Sequence, residues 1–183
     1  MKFFGTVPLK SERLELRRYK KTDAKALHAI GKDAKVNRYI TFKPCETMAG
    51  TIDYIDIHLE QYKKDQSFFG WAVTMDGSLV GSIGVYNLDK NGESCEIGYN
   101  IGSDYWNQGI ASEALKTAMR YLFCTIGLHK ICASVHEENG ASMRVLEKNG
   151  FTFEGRAREV IKEAEGVYKD LLYYGITAGE ARY

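Results

Sequence analysis

The chain contains few of the features that divide a protein into domains or anchor it in a membrane. It has two prolines in 183 residues and neither a repeat nor a low-complexity segment, so we expect a single domain over residues 1–183. No apolar run approaches the ~18 residues that a membrane-spanning helix needs. The first residues also lack the apolar segment and cleavage site of a secretory signal. We therefore expect a cytoplasmic protein without a membrane partner.

The charge balance and the cysteines argue against two further kinds of site. The chain has 25 Lys and Arg residues and 24 Asp and Glu residues, for a net charge of +1, so we expect no basic face for nucleic acid. The cysteines show none of the C-x-x-C spacing that zinc sites use. They are Cys45, Cys95, Cys124 and Cys132. We expect no metal, and we expect these thiols to be reduced and buried.

Alternation and helical spacing predict the order of the secondary structure. The expected strands are residues 13–17, 69–75, 79–87, 95–101, 130–136, 151–158 and 169–177. The expected helices are residues 22–32, 48–62, 111–123 and 139–149. Thr22-Asp23 is a capping signal for the first helix, and Asp76-Gly77 is a hairpin turn. Because hairpins are combined with a crossover, we expect a mixed α/β sheet.

The most informative segment is the predicted strand, turn and helix over residues 96–115. The turn has the sequence Gln108-Gly109-Ile110-Ala111-Ser112. A helix start exposes backbone N–H groups without partners, and the helix dipole adds partial positive charge. The glycine lets an anion approach the backbone closely. The segment therefore predicts an anion site, although a small-residue turn that merely begins a helix fits it equally well.

Two common phosphate-binding motifs are absent from this turn. No Lys-Ser or Lys-Thr pair follows it, so the lysine and the hydroxyl of a nucleotide-hydrolysing loop are missing. The turn also lacks three small residues in the G-x-G-x-x-G order of a dinucleotide-binding loop. A second segment narrows the choice, because a predicted strand ends in a polar turn at His136 and a helix runs from Asn139 to Asn149-Gly150.

With both segments considered together, the chain resembles the GNAT-superfamily acyl-CoA N-acyltransferases of the Rim type, the group that contains ribosomal-protein N-terminal acetyltransferases. Four segments carry the resemblance: Leu9-Lys-Ser-Glu-Arg-Leu-Glu-Leu-Arg17, Trp106-Asn-Gln-Gly-Ile-Ala111, Asn139-Gly-Ala-Ser142 and Asn149-Gly-Phe151. The first is similar to the group's first strand and the second to its pyrophosphate loop. The last two are similar to its signature after the fifth strand.

The resemblance implies a single-domain GNAT fold of the α/β class. Its mixed, mostly antiparallel sheet would have about seven strands and about four helices. The fourth and fifth expected strands, residues 95–101 and 130–136, would splay apart, with a bulge at Gly98. The free backbone groups of the fourth strand would then bind the pantetheine arm of acetyl-CoA. Without the flanking motifs, a packing glycine in an ordinary strand is the favoured interpretation of Gly98.

The resemblance also implies that acetyl-CoA is the co-substrate, and it assigns residues to its site. The expected cofactor-binding residues are Tyr99, Asn100, Ile101, Trp106, Asn107, Gln108, Gly109, Ile110, Ala111, Ser112, Asn139 and Ser142. Asn139 and Ser142 also fit a simpler role, because an asparagine N-cap and a first-turn serine complete a helix start.

Direct attack of an amine on a thioester requires an amine that has lost its proton. Glu96 is the first candidate for the general base, because on an alternating strand it shares a face with Gly98 and Asn100. Glu159 and His136 are the other candidates. A surface carboxylate is an equally good interpretation of Glu96.

The same reaction needs a proton or a hydrogen bond for the departing thiolate. Many GNAT proteins carry a tyrosine for this purpose in the helix after the fifth strand, where this chain has Glu147. Ser142, in the first turn of that helix, is the candidate that replaces it.

We therefore expect transfer of an acetyl group from acetyl-CoA to a primary amine. The acceptor is either the N-terminal α-amine of a ribosomal or other protein, or a small-molecule amine, and the near-neutral charge favours neither. Residues 37–42, between the first two helices, are expected to help shape the acceptor groove. A non-catalytic acyl-CoA sensor or interaction module stays open as the alternative, because the usual tyrosine is missing. A monomer and a homodimer both stay open.

Overall fold

One sheet with helices on both faces makes up the part of the chain that the computed structural model describes, which is residues 2–40, 47–163 and 166–182. The strands are β1 (Leu9–Lys10), β2 (Leu14–Arg17), β3 (Gly70–Met75), β4 (Ser78–Asp89), β5 (Ser94–Ile101), β6 (Lys130–His136), β7 (Thr152–Lys162) and β8 (Tyr168–Thr177). The helices are α1 (Ala24–Lys32), α2 (Ala34–Asn37), α3 (Met48–Lys64), α4 (Ile110–Tyr121) and α5 (Gly140–Lys148). Short 3-10 turns occur at Lys21–Asp23 and Ser103–Tyr105, and α4 continues into a π-helical turn at Leu122–Ile126.

The strand order is β1-β2-β3-β4-β5-β6-β8-β7. The neighbouring strands pair antiparallel except for β5 and β6, which run parallel and are connected through α4. The predicted mixed, mostly antiparallel sheet is therefore confirmed. Two short elements were not expected from the sequence, the two-residue strand β1 and the four-residue helix α2. Neither is long enough to show a period, so the described chain has eight strands and five helices instead of about seven and four.

The turns on either side of β4 differ in how well the sequence predicts them. Asp76 and Gly77 have φ angles of 50° and 79°, as the predicted two-residue hairpin between β3 and β4 requires. The prediction of a bulge at Gly98 is wrong, because Gly98 pairs in regular register with Gly84 on β4. The register shift between β4 and β5 lies around Asn87 instead, whose φ angle of 48° is left-handed.

Helices cover the two faces of the sheet with separate apolar clusters. On one face α4 packs against the sheet through Leu115, and on the other face α3 packs through Ile55. The central strand β3 is buried on both faces, with Trp71 in the first cluster and Ala72 in the second. Burial of each large apolar side chain contributes about 1.5–3 kcal/mol. These clusters hold the helices on the sheet and thereby set the positions of the loops that precede α4 and α5.

The neighbouring strands β5 and β6 separate after a short stretch of pairing. They are joined at three residue pairs, the last of which is Glu96 with Cys132. Beyond this point β5 stays paired with β4 as far as Ile101, and β6 stays paired with β8 as far as His136. Each strand therefore has one paired edge and one edge that faces a cleft. The predicted splay of these two strands is confirmed.

One predicted feature falls partly outside the described residues. The segment expected to shape the acceptor groove, residues 37–42, is described only as far as Ile40. Thr41, Phe42 and Cys45 lie outside the described ranges. The role of this segment stays a prediction.

A buried ion pair fixes the chain between β2 and α1. The guanidinium of Arg17 donates to both carboxylate oxygens of Asp23, at 2.8 Å each, and the backbone N–H of Lys20 donates at 2.7 Å. Burial by itself raises the pKa of this carboxyl, but the hydrogen bonds outweigh burial, and the pKa is lowered. The predicted side-chain cap of α1 is therefore wrong: Asp23 makes no cap hydrogen bond to α1 and binds Arg17 instead.

Asp23→Asn should lower the free energy of unfolding by about 3 kcal/mol at neutral pH, because the Arg17 charge then stays buried without its partner. The folded-state pKa of Asp23 is lowered. Its contribution is therefore present above the unfolded pKa of ~3.9 and is lost as the pH falls through the lower folded value. Urea unfolding of both proteins from neutral to acid pH measures the difference, which should shrink as the pH falls.

Glu60→Gln is the matched control, because it removes a carboxylate from an exposed ion pair with Lys63 on α3. This change should affect stability little at any pH. If the Asp23→Asn difference stayed constant down to acid pH, the role assigned to the buried pair would be wrong.

Candidate functional site

The loop between β5 and α4 is held by the side chain of its tryptophan. The indole Nε1 of Trp106 donates to the carbonyl of Ile101 at 2.7 Å, which ties the loop to the end of β5. The side-chain amide of Gln108 donates to the carbonyl of Asp104 at 3.2 Å. Both contacts use the side chains to shape the loop. The backbone of the loop is therefore the part that can face a ligand.

The start of α4 has the geometry of an anion site. Gly109 is the N-cap residue, with a φ angle of 77°, and it provides no side-chain cap. Asn107 also has a left-handed φ angle, 61°, a conformation that asparagine tolerates better than most residues. No described residue accepts a hydrogen bond from the backbone N–H groups of residues 107–112. The side chain of Ile110 is buried in the core, so only its backbone is available to a ligand.

Arg13 is a residue of this site that the sequence analysis did not identify. Its guanidinium contacts the carboxylate of Glu113, in the first turn of α4, through Nε at 2.8 Å and Nη2 at 2.6 Å. The same Nη2 lies 3.6 Å from the position that a Cβ on Gly109 would occupy. A positive charge therefore lies beside the free N–H groups. No local pattern indicates this, because Arg13 is 100 residues from Glu113 in the chain.

A polar contact joins the first turn of α4 to the end of α5. The side-chain amide of Asn149 donates to the hydroxyl of Ser112 at 2.8 Å and to the carbonyl of Val145 at 2.8 Å. Ala111, the neighbour of Ser112, is partly buried against the core. Ser112 and Ala111 can therefore offer a ligand their backbone N–H groups, while their side chains hold the two helices together.

Two hydroxyl groups meet across the cleft between β5 and β6. The phenol oxygen of Tyr99, on β5, lies 3.0 Å from the hydroxyl of Ser142, on α5. Burial raises the pKa of Tyr99 to about 12, so the phenol keeps its proton at neutral pH. Asn139 caps α5, because its Oδ1 accepts a hydrogen bond from the Ser142 N–H at 3.1 Å. Its Nδ2 has no acceptor among the described residues.

The other face of β5 carries Glu96 and Asn100. Glu96 accepts hydrogen bonds from Asn87 at 2.9 Å and from the hydroxyl of Ser134 on β6. It therefore lies where the two strands part, at the mouth of the cleft. Asn100 accepts from Ser82 on β4 at 3.0 Å, so its side chain is directed away from β6.

The other two candidate bases lie in different surroundings. The Nδ1 of the buried His136 accepts from the backbone N–H of Glu138 at 3.1 Å. The proton then resides on Nε2, which is 3.1 Å from the Glu163 carboxylate and donates to it. Both nitrogens are thus engaged. Glu159 is exposed on β7, the outermost strand, with a φ angle of 57°, and its backbone N–H donates to Asp170 at 2.8 Å.

Glu147 and the thiols do not line the cleft as reactive groups. Glu147 is exposed on α5 and accepts from Tyr174 of β8 at 3.4 Å. Burial raises the pKa of the Cys95 thiol to about 12, so it is not a thiolate at neutral pH. Cys132 is half-buried, and Cys124 is exposed. The expectation that all the thiols are buried is therefore wrong for Cys124, which lies on the π-helical turn after α4.

No group of three or more His, Cys, Asp or Glu side chains in the described ranges is placed to hold a metal ion. No helix in those ranges combines the length and the apolar composition that crossing a membrane requires.

In comparisons with known proteins, the chain matches acetyltransferases. A family model described as an acetyltransferase (GNAT) domain matches residues 13–152. The uncharacterized N-acetyltransferase YoaA of Bacillus subtilis (strain 168) is 31% identical over 167 residues, which cover 90% of this chain and 94% of YoaA. The spermidine N(1)-acetyltransferase of Escherichia coli (strain K12) is 29% identical over 142 residues, which cover 78% of this chain and 74% of that protein.

A solved structure is also similar to this chain. The structure of Mycobacterium smegmatis RimJ in complex with CoA-disulfide matches with a TM-score of 0.82 and 25% identity. The match covers 95% of this chain and 87% of that chain. The range of the family model, residues 13–152, includes both strands of the cleft and the helices that follow them.

Gly109→Asp should raise the Kd for acetyl-CoA by at least about ten-fold, because it places a carboxylate and a strained backbone where an anion would bind. Calorimetric titration measures this Kd. Gly77→Asp is the matched control, since Gly77 has a φ angle of 79° but open space around it. If both variants bound acetyl-CoA as the unmodified protein does, Gly109 would not belong to the anion site.

Arg13→Gln should raise the Kd for acetyl-CoA by about ten-fold and weaken its dependence on salt, because a charge beside the anion site is lost. Glu113→Gln breaks the same ion pair but keeps the guanidinium, so it should leave affinity equal or higher. Titrations at low and high salt compare the two variants. Equal losses of affinity in both would mean that Arg13 acts only by holding α4 in place.

Proposed function

The chain belongs to the GNAT acetyltransferase family and is an acetyl-CoA-dependent N-acetyltransferase, and we propose that it transfers the acetyl group directly to a primary amine within a ternary complex. The observation that carries the proposal is the arrangement around the cleft. Free backbone N–H groups lie at the start of α4, and the Tyr99–Ser142 pair and the Glu96 carboxylate lie along β5. The acceptor is a protein N-terminal α-amine or a small-molecule amine.

The N-terminal end of α4 would bind the pyrophosphate of acetyl-CoA. The free N–H groups of residues 107–112 and the guanidinium of Arg13 supply donors and positive charge for it. The open edge of β5 over Tyr99, Asn100 and Ile101 would bind the pantetheine arm as a neighbouring strand would. Asn139 would add its Nδ2, since its Oδ1 already caps α5.

Glu96 would receive the proton of the incoming ammonium group, directly or through a water. Its carboxylate lies at the mouth of the cleft and is held by Asn87 and Ser134. The demand on this base is modest for an α-amine, whose ordinary pKa of ~7.7–8.0 leaves part of it neutral at cell pH. A lysine-like amine, with a pKa of ~10.4, would depend on Glu96 far more.

The Tyr99–Ser142 pair would stabilise the departing thiolate. In one arrangement the phenol donates to the serine oxygen, which leaves the serine proton free for the sulfur. Because the Tyr99 pKa is raised to about 12, the pair keeps both protons at the pH where the amine reacts. This pair would take the place of the tyrosine that Glu147 replaces.

Two similarities bear on the choice of acceptor. One relative is named for spermidine, which favours a small-molecule amine. The resemblance to Rim-type proteins favours a protein N-terminus.

Release of free thiol from acetyl-CoA, measured over a panel of amines and short peptides, tests the proposal. The unmodified protein should turn over at least one acceptor. Ser142→Ala should lower kcat by roughly ten- to a thousand-fold, because the thiolate loses its hydrogen-bond donor, while the Kd for acetyl-CoA hardly changes. Tyr99→Phe should lower kcat by a smaller factor, because the serine hydroxyl remains.

Ser78→Ala, at an exposed serine at the start of β4, is the matched control and should leave kcat unchanged. Full kcat in Ser142→Ala would show that this serine only completes the start of α5. Tight acetyl-CoA binding without turnover of any acceptor would favour the non-catalytic acyl-CoA-binding module instead.

A further inference from the structure

His136, the last residue of β6, lies where three segments of the chain meet. Its side chain is 2% exposed. The ring of Tyr39, two residues after α2, packs against it with ring centroids 5.1 Å apart. The carboxylate of Glu163, directly after β7, accepts from its Nε2 at 3.1 Å. The turn between β6 and α5 contacts its Nδ1. None of the roles given to the cleft residues above uses this ring.

On one side, His136 fixes the turn that precedes α5. Its Nδ1 accepts from the backbone N–H of Glu138 at 3.1 Å, and its carbonyl oxygen accepts from the N–H of Asn139 at 2.8 Å. Asn139 in turn caps α5 by accepting from the N–H of Ser142. The two hydrogen bonds of His136 therefore set the position of the capping residue. Through that residue they also set the position of the Ser142 hydroxyl in the cleft.

On the other side, His136 contacts two segments that lie over the Glu96 face of the sheet. Because side chains alternate along a strand, His136 shares a face of β6 with Ser134, the residue that donates to Glu96. Tyr39 and Glu163 cover His136 on this same face. Tyr39 belongs to the segment expected to shape the acceptor groove. A single ring thus joins this segment, the end of β7 and the turn before α5.

The turn before α5 also has anchors that do not involve the His136 ring. The backbone N–H of Glu137 donates to the carbonyl of Asp170 at 3.2 Å, and the N–H of Asp170 donates to the Glu137 carboxylate at 3.1 Å. Glu138 forms an ion pair with Lys169. These contacts hold the turn on β8 whatever side chain occupies position 136. A substitution of His136 should therefore leave the fold intact and change only the local position of the turn.

We propose that His136 is a positioning residue for the acetyl transfer, and that its two ring nitrogens have separate roles. Nδ1 holds the turn that places Asn139 and Ser142, and Nε2 holds the acceptor side of the cleft through Glu163. The inference rests on the proposed function, because it gives Ser142 a part in the reaction. A ring with both nitrogens engaged supports the site and does not take the proton of the amine.

Two substitutions separate the roles of the two nitrogens. His136→Asn keeps an acceptor for the N–H two residues further on, as asparagine does in an Asx turn, but it is too short to reach Glu163. His136→Gln keeps a donor near the position of Nε2, but its amide lies beyond the position of Nδ1. Amide hydrogen exchange followed by NMR measures the turn without requiring catalysis. Exchange of the Ser142 N–H should become about ten-fold faster in His136→Gln and at most about two-fold faster in His136→Asn.

Thiol release from acetyl-CoA, with tetra-alanine and with spermidine as acceptors, tests the role in the reaction. His136→Gln should lower kcat by about ten-fold at a nearly constant KM for the acceptor, because the position of Ser142 is disturbed. His136→Asn should raise that KM by about ten-fold at a nearly constant kcat. Glu163→Ala should reproduce the result of His136→Asn, since it removes the same hydrogen bond and leaves Nδ1 in place.

His129→Asn is the matched control, because His129 is an exposed histidine directly before β6. It should change neither the exchange of the Ser142 N–H nor the kinetics. A histidine that only fills the core would not split KM from kcat. Equal effects of His136→Asn and His136→Gln on Ser142 exchange, or no effect of either, would overturn the assignment.

Exchange and thiol release together separate the two conclusions. Faster Ser142 exchange in His136→Gln alone, without thiol release to any acceptor by the unmodified protein, would keep the role of His136 in the turn and reject the proposed acetyl transfer. Unchanged kcat and KM in both His136 variants, with turnover of either acceptor, would keep the acetyl transfer and reject the positioning role.

Discussion

The architecture of the site depends on the early end of pairing between β5 and β6. These parallel strands are joined at three residue pairs, whereas β5 pairs with β4, and β6 with β8, along most of their lengths. A buried backbone N–H or C=O group without a partner costs free energy, so the open edges favour a ligand that hydrogen-bonds like a strand. The loop before α4, the Tyr99–Ser142 contact and the Glu96 carboxylate all lie around this opening.

The two faces of the sheet present different chemical groups. Toward α4 the chain presents free N–H groups, and Arg13 places a positive charge beside Gly109. Toward α3 it presents neutral aromatic rings over backbone. Because side chains alternate along a strand, β5 directs Tyr99 to the first face and Glu96 to the second. Under the proposed function, a single strand would serve both substrates, and they would meet at the gap beside it.

Features that depend on neighbouring residues could be predicted from the sequence. The hairpin at Asp76-Gly77 follows from two left-handed residues, and the Asn139 cap follows from an asparagine before a helical period. The side-chain cap expected from Asp23 was wrong, because Arg17 on the preceding strand binds that carboxylate more strongly than a helix end would. A buried ionic partner outweighed the local capping preference.

The sequence by itself determined the family, the order of the longer elements and the glycine turn before α4, because these depend on spacing and backbone conformation within a few residues. Only the tertiary structure decided which distant side chains meet. It placed Arg13 beside Gly109, joined Tyr99 to Ser142, and brought Tyr39 and Glu163 to the ring of His136. These contacts depend on strand register, and register is set by the packing of the whole sheet against its helices, since a shift of one residue would turn every side chain to the opposite face.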